Sequence, residues 1–307
     1  MKISRILGLR IPLAVLLLAA APAFVCAAPL VPGTGTKAEQ VGDDFEEEDW
    51  DFVHNFPKSS EEEDGAMRHP TGYSKNGRWY EGIKRGQPDY LKRVETPPAG
   101  LEGSTHSLLM RTLYSGIPGR LSGRIMQDDF ICNVDGRLGG AIPVSQQPSV
   151  VVRVFFPEED QWEPVSGPSF AFRAACSTTI NKSEQTGGLF SRTVSRRAKE
   201  VYWPGLWVYH EREADGYAED KVYLRIRGNA SGRDYTGPTI TERGWWTLGM
   251  SFTPDGMVHY YASPGVDDLT EDDYLDSQYP YSYRCEHLKT LFFNVLNKDN
   301  GQSWSTP

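Results

Sequence analysis

WWTLGMSFTPDGMVHYYASPG, residues 245–265, is the stretch whose reading decides the fold class. Two runs of alternating character flank TPDG at 253–256, which places Pro254 and Gly256 where a tight turn needs them. A period of two sends successive side chains to opposite faces of a strand. The stretch therefore reads as a β-hairpin, with strands near 244–252 and 256–262. The same pattern recurs after residue 103 and predicts strands near 105–113, 124–133, 149–156, 169–176, 205–211, 220–228 and 289–297, punctuated by Gly, Pro and Asp. No long stretch carries a 3.6-residue apolar repeat, and a short helix is expected near 268–276. Many short strands must bury one face against a second layer. The expected class is all-β, a two-sheet antiparallel sandwich.

Strand phase tells which side chains meet in the core. In PSVVVRVFFP, Val150, Val152, Val154 and Phe156 oppose Val151, Arg153 and Phe155. In SFAFRAAC, Phe170, Phe172, Ala174 and Cys176 oppose Arg173, and in KVYLRIRG, Val222, Leu224 and Ile226 oppose Tyr223, Arg225 and Arg227. Met126, Asp128 and Phe130 likewise oppose Gln127, Asp129 and Ile131. Several strands thus pair an aliphatic face with one of Arg, Gln, Tyr and Trp.

Outside the sheet pattern, residues 1–28 read as a secretory signal peptide: Lys2, Arg5 and Arg10, an apolar run from Ile11 to Val25, and small residues at the end. Pro12 and Pro22 break that run, and no later stretch is apolar enough to span a membrane. Val25 before Cys26 disfavours a lipid anchor there. The expected location is secreted, cell-surface or periplasmic. Residues 29–40 read as linker, and 41–307 as one domain with an acidic N-terminal insertion at about 46–100. The formal net charge of −9 becomes −12 without the three leader cations. Residues 37–64 account for −10 of it, so the body is close to neutral and offers no basic surface for nucleic acid. EEED at 46–49 and 61–64 reads as solvated faces. The aromatic residues of 41–100 predict that this segment docks on the body. Cys132, Cys176 and Cys285 fit no zinc spacing, and whether two of them pair stays open. NKS at 181–183 and NAS at 229–231 are glycosylation sequons.

The opening GDDFEEEDW, the strand pair PSVVVRVFFP and SFAFRAAC, and the tail WWTLGMSFTPDGMVHYYASPG followed by LKTLFFNVLN resemble the concanavalin A-like lectin/glucanase superfamily, which includes laminin G-like modules. The resemblance is one of pattern and spans most of residues 41–300. It implies a jelly roll whose first strand, near Asp44–Phe45, lies beside the last, Leu291–Leu296. It also implies a glycan site on a sheet face or its rim loops.

This sequence supplies what such a face needs. Sugars stack their apolar CH faces on aromatic rings, and Trp203, Trp207, Tyr209, Tyr223 and Tyr260 are candidate platforms. Arg153, Arg173, Arg225 and Gln127 are candidate polar partners. A guanidinium grips a carboxylate or sulfate with two parallel bonds, so an acidic polysaccharide is a plausible partner. Mid-strand arginines are costly unless paired or set in a cleft. The competing reading is an ordinary solvated sheet surface.

Chemistry is harder to find. Glycoside hydrolysis needs two carboxyls flanking the scissile bond, and no strand carries an E-x-D-x-x-E arrangement. Jelly-roll polysaccharide lyases use Arg, Gln, His and Tyr. Arg153, Gln127, His259 and Tyr261 are the right types, with His259 and Tyr261 on one strand face. The lyase motifs themselves are absent: no Arg-x-Glu-x-Arg strand, no Gln-x-His pair and no Lys-Ala-Gly tract. DDLTEDDYLD at 267–276 could offer Asp267, Asp268, Asp272 and Asp273 to Ca²⁺, against the reading of a solvated loop. No other cofactor is implied. The leading expectation is non-catalytic carbohydrate binding. The alternatives are a lyase on uronate polymers and a laminin G-like adhesion domain.

Overall fold

A computed structural model describes residues 30–186 and 192–307, so the leader read at 1–28 lies outside the described residues. The chain forms a two-sheet antiparallel β-sandwich of the jelly-roll kind. The large sheet runs in space through β1 (Phe52–Val53), β2 (Tyr73–Ser74), β3 (Trp79–Glu81), β6 (Ile125–Cys132) and β17 (His287–Lys298). It continues through β9 (Gly167–Thr186), β11 (Gly205–Glu211), β12 (Lys221–Arg227) and β13 (Tyr235–Thr239). Two strands branch from it: β7 (Ile142–Pro143) on β17 and β10 (Arg192–Tyr202) on β9. The smaller sheet has the order β16 (Tyr274–Gln278), β15 (Val258–Pro264), β14 (Gly244–Phe252) and β8 (Ser149–Phe156). A hairpin of β4 (Tyr90–Glu95) and β5 (His106–Arg111) stands apart from both.

Each strand read from the alternation forms, and β9 runs ten residues past its expected end at Cys176. The TPDG turn joins β14 to β15, with Gly256 N–H donating to Thr253 O over 2.8 Å. Gly256 has φ +85°, and a Cβ there would meet the backbone of Cys285 at 2.8 Å, so the turn requires glycine.

Two expectations need correction. Asp44–Phe45 is not a strand: Phe45 has φ 59°, and the neighbours of β17 are β6, β9 and the short β7. Phe45 instead packs on Trp50 and Trp79, at centroid distances of 5.4 and 6.2 Å. The helix near 268–276 is one 3-10 turn, Glu271–Asp273, leading into β16.

The aliphatic faces meet as their phases predict. Phe130, Phe172, Leu206, Leu224 and Phe293 of the large sheet face Leu248, Met250, Phe252 and Val258 of the smaller one, all buried. Residues 41–100 close one side, where Trp79 stacks on Phe130 at 4.6 Å. Asp128, which shares the phase of Phe130, is wholly buried and meets Lys58 Nζ at 2.5 Å. Lys58 also reaches Asp89 at 2.9 Å. The buried ammonium of one segment thereby hydrogen-bonds a carboxyl group that the strand carries into the core.

Candidate functional site

The face of the large sheet turned away from the sandwich core carries a connected layer of polar and aromatic side chains. Antiparallel register builds it. β11 lies between β9 and β12, pairing Gly205 with Arg173 and Arg227, and Trp207 with Ala171 and Arg225. On the other side of β9, β17 pairs Phe292 with Arg173 and Asn294 with Ala171, and Asn294 in turn faces Asp129 of β6. Residues far apart in sequence thus share one patch because register aligns the outward-facing positions of neighbouring strands.

Arg173 is its centre, with 4% of its surface exposed. Its guanidinium donates to Trp203 O at 2.9 Å and Asn294 Oδ1 at 3.3 Å. It lies 5.2 Å from the ring centroids of both Trp207 and Phe292. Its Nε has no hydrogen-bond partner. Neither hydrogen-bond acceptor carries charge. The nearby carboxylate, Asp129, is engaged by Asn294 Nδ2 at 2.5 Å and Arg85 at 3.4 Å. Burial, with Arg227 adding to it, pushes the Arg173 guanidinium down to about 9. Burial also pushes the Asp129 carboxyl up. The centre of the face therefore holds a cation with less compensation than its burial demands.

Around it the aromatic rings and cations alternate. Trp207 lies between Arg173 and Arg227, the latter 5.5 Å from its ring. Arg225 sits 4.7 Å over Tyr209, whose ring is 5.8 Å from that of Tyr223. Lys84 lies 4.9 Å over Trp203 at the rim. Such cation–π contacts hold the guanidinium planes still without neutralising them. Arg227 also meets Tyr281 Oη at 3.2 Å and Asp234 at 3.4 Å. Trp207 Nε1 and Arg225 Nε are buried donors with no partner. Gln127 reaches Asp129 at 3.4 Å. Tyr223 donates to Glu211 at 2.8 Å, and burial, with that bond adding to it, pushes its phenol up to about 12.

The structure thus brings together Arg173, Arg225, Gln127, Trp203, Trp207, Tyr209 and Tyr223. It does not bring Tyr260 to them: that ring is wholly buried in the core and its hydroxyl donates to Arg227 O at 3.2 Å. The even phase of β15 turns Tyr260 inward.

The set proposed for elimination is divided. Gln127 belongs to the large sheet, whereas Arg153, His259 and Tyr261 lie on the far side of the molecule, on the outer face of the smaller sheet. There Arg153 bonds Asp268 at 2.8 Å and Val266 O at 2.6 Å. His259 Nε2 meets Thr253 Oγ1 at 3.0 Å, and burial lowers its pKa. Tyr261 is buried against Tyr274. The four side chains cannot act on one sugar.

The acidic loop is largely solvated, and two of its four candidate carboxylates hold internal bonds. Asp268 serves Arg153, and Asp273 accepts from Thr270 N at 2.7 Å. Among the described residues, no three or more His, Cys, Asp or Glu side chains, Asp267 and Asp272 included, gather as a metal site. No helix among the described residues is long and apolar enough to cross a membrane.

Asp129, Arg227, Asn294 and the rim residues Lys84 and Arg85 escaped the sequence reading as site residues. Arg227 shares the phase of Arg225 and could have been found from it. Asn294 sits in LFFNVLN, where apolar residues on both faces hide the phase. Lys84 and Arg85 come from a loop, where alternation carries no information.

Comparison with known proteins gives little. No protein-family model matches the chain, and no curated protein matches it. Among solved structures, an alginate lyase from Pseudomonas aeruginosa is similar at 9% sequence identity, over 70% of this chain and 78% of that one, with a TM-score of 0.35.

Proposed function

We propose that the protein binds an acidic polysaccharide across the outer face of the large sheet, with a sugar carboxylate or sulfate seated on Arg173. The observation that carries this reading is the buried Arg173 guanidinium, fixed by neutral acceptors and with its buried Nε unpaired. An anion there would supply the compensation the site lacks, through a charge-assisted bond stronger than its present neutral ones. The rings of Trp203 and Tyr209, both partly exposed, offer stacking surfaces beside it.

The test is retardation of the protein in gels containing a polyuronate or a sulfated galactan, against a neutral β-glucan. The acidic polymers should retard it, less so as salt rises. Asp129→Asn should strengthen retardation severalfold, because it removes a negative charge that competes with the ligand. Failure of every acidic polymer to retard the protein would sink the reading.

One observation favours a second reading, uronate elimination on this same face. Arg225 sits over Tyr209 and offsets part of the burial that pushes its phenol up, so a cation stands beside a candidate proton-transfer group there. Under this reading a polyuronate yields unsaturated products absorbing in the ultraviolet, and Tyr209→Phe abolishes them while leaving retardation intact. A flat trace with wild-type protein rules elimination out.

A further inference from the structure

A cavity of about 700 Å³ opens between the β4–β5 hairpin and the smaller sheet. Its walls include Ser107, Leu108, Leu109 and Met110 of β5, and every residue of β8 from Val151 to Phe156. Consecutive strand residues point to opposite faces. A space that touches all of them therefore lies against the edges of the two strands. Its floor is the apolar inner face of the large sheet, including Phe170, Val208, Leu291 and Phe293.

Both edges are unpaired. β5 pairs only with β4, and β8 only with β14, among the described residues. Proteins usually protect such edges with charge, proline or a covering segment. β8 reads SVVVRVFF, and its one charged side chain, Arg153, is tied to Asp268 and Val266 O. Nothing on this edge discourages pairing. A strand occupies roughly 4.8 Å across the sheet, 10 Å between layers and 3.3 Å along its axis per residue. The cavity thus has room for about four or five residues.

We propose that this slot accepts an extended polypeptide strand from a partner protein, completing one continuous sheet from β16 to β4. The inserted strand would hydrogen-bond β8 and β5 at once, as in β-strand addition. It would turn alternate apolar side chains onto the floor. Acidic residues, Asp43, Asp44, Glu46 and Glu102, stand around the slot, so a basic flank on the strand fits. Glu46 is held ionised by Thr105 and by the His106 amide, which push it down to about 2. A second copy of this chain is a poor occupant: the inserted strand needs both edges free, whereas β5 and β8 are each paired on one side.

The probe is a fluorescent heptapeptide alternating valine and threonine between two lysines. Its partner is the same peptide with N-methylated valines, which cannot complete the main-chain ladder. Saturable binding is expected, with new protection from deuterium exchange at the amides of 107–110 and 151–156. N-methylation or Leu108→Trp, which fills the slot, should weaken binding at least tenfold, with Tm confirming that the variant folds. Absence of saturable binding overturns the proposal, as does equal binding of the N-methylated peptide. An apolar dye that binds and displaces the peptide without amide protection would mean a small apolar ligand instead. A concentration-dependent dimer abolished by Leu108→Trp would mean a second copy. Either outcome overturns the partner strand.

Discussion

Lys58→Met is expected to lower stability by roughly 3–5 kcal/mol, the usual cost of removing one member of a buried ion pair. For a domain of this size that is a fall in Tm of about 10 °C. Lys58 Nζ is the cation shared by Asp128 at 2.5 Å and Asp89 at 2.9 Å, and it also donates to Gln87 O at 3.2 Å. Its side chain is only 4% exposed, so water does not replace it. The two carboxylates also converge on the Thr112 hydroxyl. One hydroxyl proton serves only one of them, so the other contact calls for a protonated carboxyl. Asp128 is that group: burial pushes it up to about 8 despite Lys58, and Asp89 adds to the rise.

The sign of the pH dependence follows. A carboxyl whose folded pKa of about 8 exceeds its ordinary 3.8 contributes stability that is complete below 3.8 and lost as pH rises through 8. Asp128→Asn should therefore gain on wild type across that interval, and it should recover part of the Lys58→Met loss. Urea unfolding of the four proteins from pH 4 to 9 measures both effects. If Lys58→Met unfolds within about 1 kcal/mol of wild type, the cluster is not holding the acidic segment to the sheet.

Arg173→Ala should cost the protein its acidic ligand. A hydrogen bond to a charged group contributes about 1.5–3 kcal/mol, which corresponds to roughly 10- to 150-fold in affinity. Arg173→Lys keeps the charge but loses the planar fork, and should fall between the two. Calorimetric titration with a uronate oligosaccharide reads the affinities, and the salt slope should flatten in Arg173→Ala alone. An unchanged affinity in Arg173→Ala would remove the guanidinium from the site. Because Arg173 also packs between Trp207 and Phe292, thermal unfolding of each variant separates loss of binding from loss of fold.

The sheet pattern was legible because half-buried strands advertise themselves. KVYLRIRG shows both faces of β12 at once, and its arginine face is the one that carries the site. β1, β2 and β7, each two residues long, are too short for any period to appear. β10 (RTVSRRAKEVY) shows no apolar alternation; among the described residues it pairs with β9, and its final Tyr202 reaches the core. Among the site residues, Arg173 and Arg225 were readable as misfits within apolar runs. Arg153 showed the same misfit, yet it lies on the other sheet and serves the loop at Asp268.

The sequence by itself determined an all-β sandwich and, strand by strand, which residues oppose the core, since alternation is a local property of the chain. Only the tertiary structure decided which outer faces coincide. Register and strand order place Arg173, Trp207, Arg225 and Asn294 in one patch, and they send Arg153, His259 and Tyr261 to the opposite side. They also bring Lys58 to Asp128 across 70 residues. These are long-range pairings, set by how strands order and stack, and no local pattern encodes them.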